Sequence, residues 1–172
     1  MADALFLVLL ILHIGAIVAW MGGAALFVSV IIPSLSKMSP PSRAEFIQSA
    51  LPRYLRFITG SSILAIIAGL ILYGYTAQTA TSLAPSASGL IYIQAGAVLG
   101  LIVLVIALGI LVPSGRKLIS LVKQTSGTQA GPTPQDQTMT QMARMQRRMG
   151  LAGRLGITLL GIALVLMIIG AS

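Results

Sequence analysis

Residues 89–112 read GLIYIQAGAVLGLIVLVIALGILV, and residues 113–117 close the run with PSGRK. The run holds 24 residues without one Asp, Glu, Lys, Arg or His. A helix that crosses a bilayer needs about 20 apolar residues, because the hydrocarbon is about 30 Å thick and each residue rises about 1.5 Å. This stretch is long enough to cross, and a proline and a basic pair end it. Three other stretches read the same way, at about 4–35, 57–75 and 155–171. The first of them is longer than a bilayer requires, which predicts tilt or a protruding end near Pro33. It lacks a basic leader and its apolar run exceeds that of a secretory signal, so it reads as a span. The expected fold is all-α: a polytopic membrane four-helix bundle forming one transmembrane domain over residues 1–172.

Composition agrees. Hydrophobic residues make up 56% and charged residues 8% of the chain, with a mean hydropathy of +0.97. Soluble domains carry roughly 25% charged residues, so this chain has too little polar surface for water. The net charge is +8. Basic patches interleaved with aromatics are missing, so a nucleic-acid partner is not expected. With no cysteine, disulfides, thiolate metal sites and cysteine nucleophiles are excluded.

The charges fall in two segments, 36–56 and 113–154, which read as basic loops. The first holds Lys37, Arg43, Arg53 and Arg56 against Glu45. The second holds Arg116, Lys117, Lys123, Arg144, Arg147, Arg148 and Arg154 against Asp136. Together these are all 11 basic residues, and the connection from Thr76 to Ser88 has no charge. By the positive-inside rule the basic segments are cytoplasmic, both termini lie outside a cell membrane, and anionic inner-leaflet lipids are expected partners.

The two halves resemble each other at an offset of 80 positions, with Pro33-Ser34 matching Pro113-Ser114 and Lys37 matching Lys117. The next span in each half is entered through arginines. This pattern points to two parallel-repeated hairpins with a site at the bundle centre. Small residues recur at four-residue spacing: Gly15, Ala19 and Gly23; Ala65 and Gly69; Gly96 and Gly100. Such faces let helix backbones approach closely in lipid, within the bundle or against a partner subunit or second copy.

Residues able to carry chemistry are few. Asp3, Glu45 and Asp136 all fall outside the spans, and one His without a membrane acid cannot assemble a triad. An enzymatic role is therefore disfavoured. His13 is the one ionisable residue in the apolar spans, about nine residues or 13 Å from the outer end. An intramembrane ionisable group is costly and defaults to a functional hypothesis. Imidazole can ligate haem or copper or relay a proton. The plainer reading is a neutral His bonded across the bundle to Gln94. Trp20 lies two turns along the same face. A second candidate metal set is Met139, Met142, Met145 and Met149, a helical stripe of thioethers suited to Cu(I). Flanked by Arg144, Arg147 and Arg148, the same segment also reads as an amphipathic helix lying on the inner leaflet. Residues 125–138 have a linker's composition, and Ser39-Pro40-Pro41-Ser42 opens a short interfacial helix through Ser49.

The string Leu12-His13-Ile14-Gly15-Ala16, then Trp20-Met21-Gly22-Gly23 and Pro33, resembles the first helix of small CopD-like (copper-resistance protein D) membrane proteins. That group includes the haem-pathway protein HemJ, another small bundle with a histidine in its first helix. The resemblance covers the first helix and, loosely, the arginine-led second and fourth. It implies that His13 is a ligand or proton-handling position, with Trp20, Gly22 and Gly23 packing beside it. HemJ-like proteins bring a basic residue from the third helix, where this chain has only Gln94, so porphyrinogen oxidation is not implied. The first expectation is a non-enzymatic membrane protein that binds or passes copper or haem. The second is an accessory subunit of a larger complex, such as a copper membrane monooxygenase or a respiratory complex. The third is a membrane oxidoreductase.

Overall fold

Proline cannot donate the backbone hydrogen bond that continues a helix, and its ring collides with the carbonyl four residues back. Pro33 and Pro113 each close a long apolar run, and at both the helix changes register. A computed structural model describes residues 2–78, 86–127 and 135–171, and among these only Met38, Ser39 and Ser86 lie outside helices. Helix α1 (Ala2–Leu26) passes through a π-helical turn (Phe27–Ile31) into α2 (Ile32–Lys37). Helix α4 (Ala87–Ile106) passes through a second π turn (Ala107–Leu111) into α5 (Val112–Gly127). The N–H of Ile32 reaches the carbonyl of Phe27, and that of Val112 reaches Ala107, five residues back in both. The wider turn gives each pyrrolidine ring room while the backbone stays hydrogen-bonded.

Helix α3 (Pro40–Gln78) and helix α6 (Gln135–Ala171) are unbroken. Ser39 starts α3 by accepting the Arg43 N–H at 2.9 Å. Arg43 Nη2 donates back to the Ser36 and Met38 carbonyls at the end of α2, at 3.2 and 3.4 Å, which fixes the corner. Pro52 lies inside α3 between the buried Leu51 and Leu55, where packing offsets its missing backbone bond. Ser86 caps α4 by accepting the Gly89 N–H at 3.1 Å.

The first hairpin packs α1 along α3, and the second packs α4 along α6; α3 against α4 and α5, and α6 against α1, close the ring. Four helices are long and apolar enough to cross a membrane: Ala4–Lys37, Pro40–Thr76, Ser88–Gln124 and Thr140–Ala171. In their most apolar windows only 17% of positions are buried in the first and fourth and 33% in the second and third. Apolar side chains that a soluble protein would hide face outward here, such as Ile11 (70% exposed), Val105 (69%) and Ile91 (67%).

The basic segments differ from their reading as loops. Residues 40–56, 113–127 and 135–154 are helical extensions of the spans, and α3 does not stop at Ser49. The helices that contain the spans are 32 to 37 residues long, roughly 50 Å, so each outruns the hydrocarbon by about 20 Å. The reason is a second apolar stripe on the charged stretches. Leu35, Ile47, Leu51, Leu118, Val122 and Met149 are all buried there and continue the core past the spans. For the same reason residues 140–150 do not form a separate surface helix. They lie within α6, continuous with its span.

The two hairpins carry matching features. The π turns begin 80 positions apart, at Phe27 and Ala107, as do the prolines. Between α3 and α6 the offset is 101, from Arg53 to Arg154 and from Gly69 to Gly170. Gly69 lies against His13, and Gly170 against Ile93, which stands 80 positions after His13. Of the small residues, Gly23, Ala65, Gly69, Gly96 and Gly100 sit at helix contacts, whereas Gly15 faces open space. A Cβ at Gly96 would stand 2.9 Å from both the Ala163 carbonyl and Met167 Cγ. Gly96→Leu is therefore expected to separate α4 from α6 and cost about 1–3 kcal/mol. Gly15→Leu should stay within about 0.5 kcal/mol of the parent. Thermal unfolding of both variants in mild detergent checks the contrast; equal losses would contradict this packing.

Candidate functional site

His13 projects from α1 onto the backbone of α3. Its Nδ1 lies 2.8 Å from the Ala65 carbonyl oxygen, which can only accept, so Nδ1–H is the donor. The proton is thereby fixed on Nδ1, and Nε2 keeps its lone pair. Gly69, one turn further along α3, makes this possible. A Cβ at Gly69 would stand 2.6 Å from Cε1 and 2.9 Å from Nδ1 of His13, inside contact distance. Ala65 and Gly69 together leave a shallow bed in α3, and the imidazole lies in it half-buried.

The other residues expected near His13 have separate roles. Trp20 is 2% exposed and belongs to the apolar core with Ala16 and Phe27. Phe27, first residue of the π turn, stacks on Tyr54 with ring centroids 4.2 Å apart. Gln94 does not bond to His13. Its Nε2 donates to the Tyr73 hydroxyl at 2.8 Å, linking α4 to α3 nearer the charge-free end. The imidazole bonds instead to the Ala65 carbonyl, which the absence of a side chain at Gly69 lets it approach.

The methionines turn toward the bundle. Met149 is 1% exposed in the core, Met142 packs against that core, and Met145 is half-buried; the Met139 side chain lies outside the described residues. Gly150 sits beside Ile32. Since Ile32 is 19 residues along from His13, the imidazole and the thioethers are separated by roughly 28 Å. The two candidate donor sets are not brought together. Among the described residues, no group of three or more His, Cys, Asp or Glu side chains is placed to hold a metal ion. A cavity of about 10 Å³ between Phe27, Leu35, Phe46, Leu118 and Met149 holds no more than a water-sized molecule.

Sequence reasoning missed Tyr73 and the buried pair Ser61 and Ser62. Both serine hydroxyls donate within α3, to the carbonyls of Ile58 (3.2 Å) and Thr59 (2.9 Å). Satisfied by their own helix, they act as small packing residues. The run Gly60-Ser61-Ser62 in mid-span was the available signal. No family model matches the chain, and no curated protein and no solved structure matches it either.

Gly69→Ala is expected to push the imidazole off its bed and break the Nδ1–H bond, at a cost of roughly 1 kcal/mol. Nitrogen NMR of His13 checks this: the parent should show one Nδ1–H tautomer protected from exchange, the variant a mixture. An unchanged spectrum would contradict the geometry.

Proposed function

We propose that this chain is a non-enzymatic multi-pass membrane protein that binds or passes copper or haem through His13, as its resemblance to the CopD-like group implies. The supporting observation is the orientation of the ring. Nδ1–H is held by a backbone carbonyl and Nε2 is left as the donor atom. Metal-ligating histidines are commonly held this way, because the second hydrogen bond fixes the tautomer and raises ligand basicity. His13 fits as one ligand of such a group. Bound there, copper or haem would supply metal carriage or electron transfer. The chain's own contribution is to fix the donor nitrogen within an apolar span. Remaining ligands must come from a second copy or a partner.

The test is metal content and visible absorption of the gently solubilised protein, beside His13→Ala. The expected outcome is a Soret band, or copper near one equivalent, that disappears in the variant. Colourless, metal-free protein in both samples would sink the reading.

A specific observation favours a second reading, an accessory subunit of a larger membrane complex. Gly15 and Gly22 lie seven residues apart on an outward face of α1, beside exposed Ile11 and Val18, and a Cβ at either would meet nothing within 4 Å. A partner helix could approach closely there. In that role His13 only locks α1 to α3. Co-migration with larger chains, unaffected by His13→Ala, would separate it from the first reading.

Orientation belongs to the same proposal, with the basic end cytoplasmic and the charge-free end outside. The chain has no cysteine, so single substitutions report cleanly. Ser86→Cys should react with a membrane-impermeant maleimide on intact cells, and Ser120→Cys only after permeabilisation. The reverse pattern would invert the topology.

A further inference from the structure

On the approach to a span, an exposed arginine stands over an outward apolar face, and this arrangement occurs twice. On α3 the positions Arg53, Phe57, Gly60 and Leu64 fall on one stripe at spacings of four, three and four. On α6 the positions Arg154, Thr158, Gly161 and Val165 repeat it, each 101 residues later. Both arginines are exposed, and neither guanidinium has a hydrogen-bond or ion-pair partner among the described residues. Glu45, eight residues before Arg53, is roughly 12 Å away along α3 and too far to neutralise it. Two turns past each arginine the helix carries a bare glycine. A Cβ at Gly60 or Gly161 would meet nothing within 4 Å, so each marks a notch open to the outside. Exposed apolar side chains flank the notches, with Phe57 at 51%, Leu64 at 42% and Val165 at 55%.

We infer that each stripe seats one anionic phospholipid from the leaflet at the basic end, its phosphate on Arg53 or Arg154 and its upper acyl chain in the notch at Gly60 or Gly161. A guanidinium fork suits phosphate oxygens better than an ammonium does, and an unpartnered one is available for them. The separation of arginine and glycine, roughly 10 Å, matches the span from a headgroup phosphate to the first methylenes of a chain. A soluble anion would use the fork and leave the apolar notch empty. An amphiphile uses both. No charged residue follows Arg56 in α3 or Arg154 in α6, so the positions from Phe57 and Thr158 onward on each stripe lie in the charge-free part of the helix. The inference depends on the chain spanning a membrane and is independent of any ligand on His13.

The test is native mass spectrometry of the full chain, released from bilayers of phosphatidylcholine mixed with phosphatidylglycerol. About two phosphatidylglycerol molecules per chain should be retained in preference to phosphatidylcholine. Arg53→Gln combined with Arg154→Gln should weaken retention roughly tenfold. Gly60→Leu with Gly161→Leu should also release lipid, with every arginine still present. Inorganic phosphate should not displace it. All four positions face away from the core, and helicity with a single gel-filtration peak confirms that the variants fold. Equal retention of the two lipids, or retention unchanged in the glutamine pair, would overturn the proposal. So would an unaffected leucine pair together with displacement by phosphate, which would mark a free-anion site.

Discussion

In hydrocarbon a backbone N–H or C=O without a partner costs several kcal/mol, and only a continuous helix satisfies both from within. That constraint governs the chain from end to end. It explains why the apolar runs fold as uninterrupted helices. It also explains what happens at the two prolines that end the first and third spans. A kink with open carbonyls would be expensive near the membrane boundary. Pro33 and Pro113 instead follow π turns in which Ile32 and Val112 reach five residues back. The helices then continue toward the basic end, so membrane and basic portions share one set of rods.

With the backbone satisfied, association depends on how closely the rods approach, since lipid gives apolar side chains no reason to leave it. The closest approaches pass over glycine. Gly23 meets Phe57 and Ile58, Gly96 meets Ala163 and Met167, and Gly69 meets His13. The last is the most consequential chemically. Removing a side chain from α3 lets a polar ring lie on the helix backbone, where a carbonyl accepts its N–H. A costly intramembrane group is thereby made affordable, with one nitrogen committed and one free. Beyond the spans the driving force changes. There water is present, and burial of Leu35, Ile47, Leu118 and Met149 supplies the hydrophobic term that lipid withholds.

Charge divides the bundle in the same place. The apolar windows carry their hydrophobic residues outward, and the extensions carry theirs inward with arginine and lysine outside. This inversion along single continuous helices places arginines such as Arg53 and Arg154 beside exposed apolar surface. The two hairpins share this arrangement, although matching positions carry different residues. Where the first hairpin has His13 on Gly69, the second has Ile93 beside Gly170. The close helix contact persists in both hairpins, and the polar group occurs in the first alone.

Span number and the segregation of charge could be read from the sequence, because each follows from local composition set against a bilayer of known thickness. His13 stood out for the same reason, as one ionisable residue in apolar surroundings. Its partner could not be read. Gln94 is the obvious polar neighbour by composition, yet the Ala65 carbonyl accepts the N–H, and that choice depends on Gly69 lying one turn from Ala65 on a helix other than that of His13. The methionine stripe shows the same limit: its spacing defines a face, and only the packing of α6 against the other helices turns Met142 and Met149 inward. The basic segments were read as loops because their charge hides a sparse apolar stripe, which becomes a core only when four such stripes meet. Local chemistry fixes what each segment can bury, and tertiary structure decides which groups on different segments come within bonding distance.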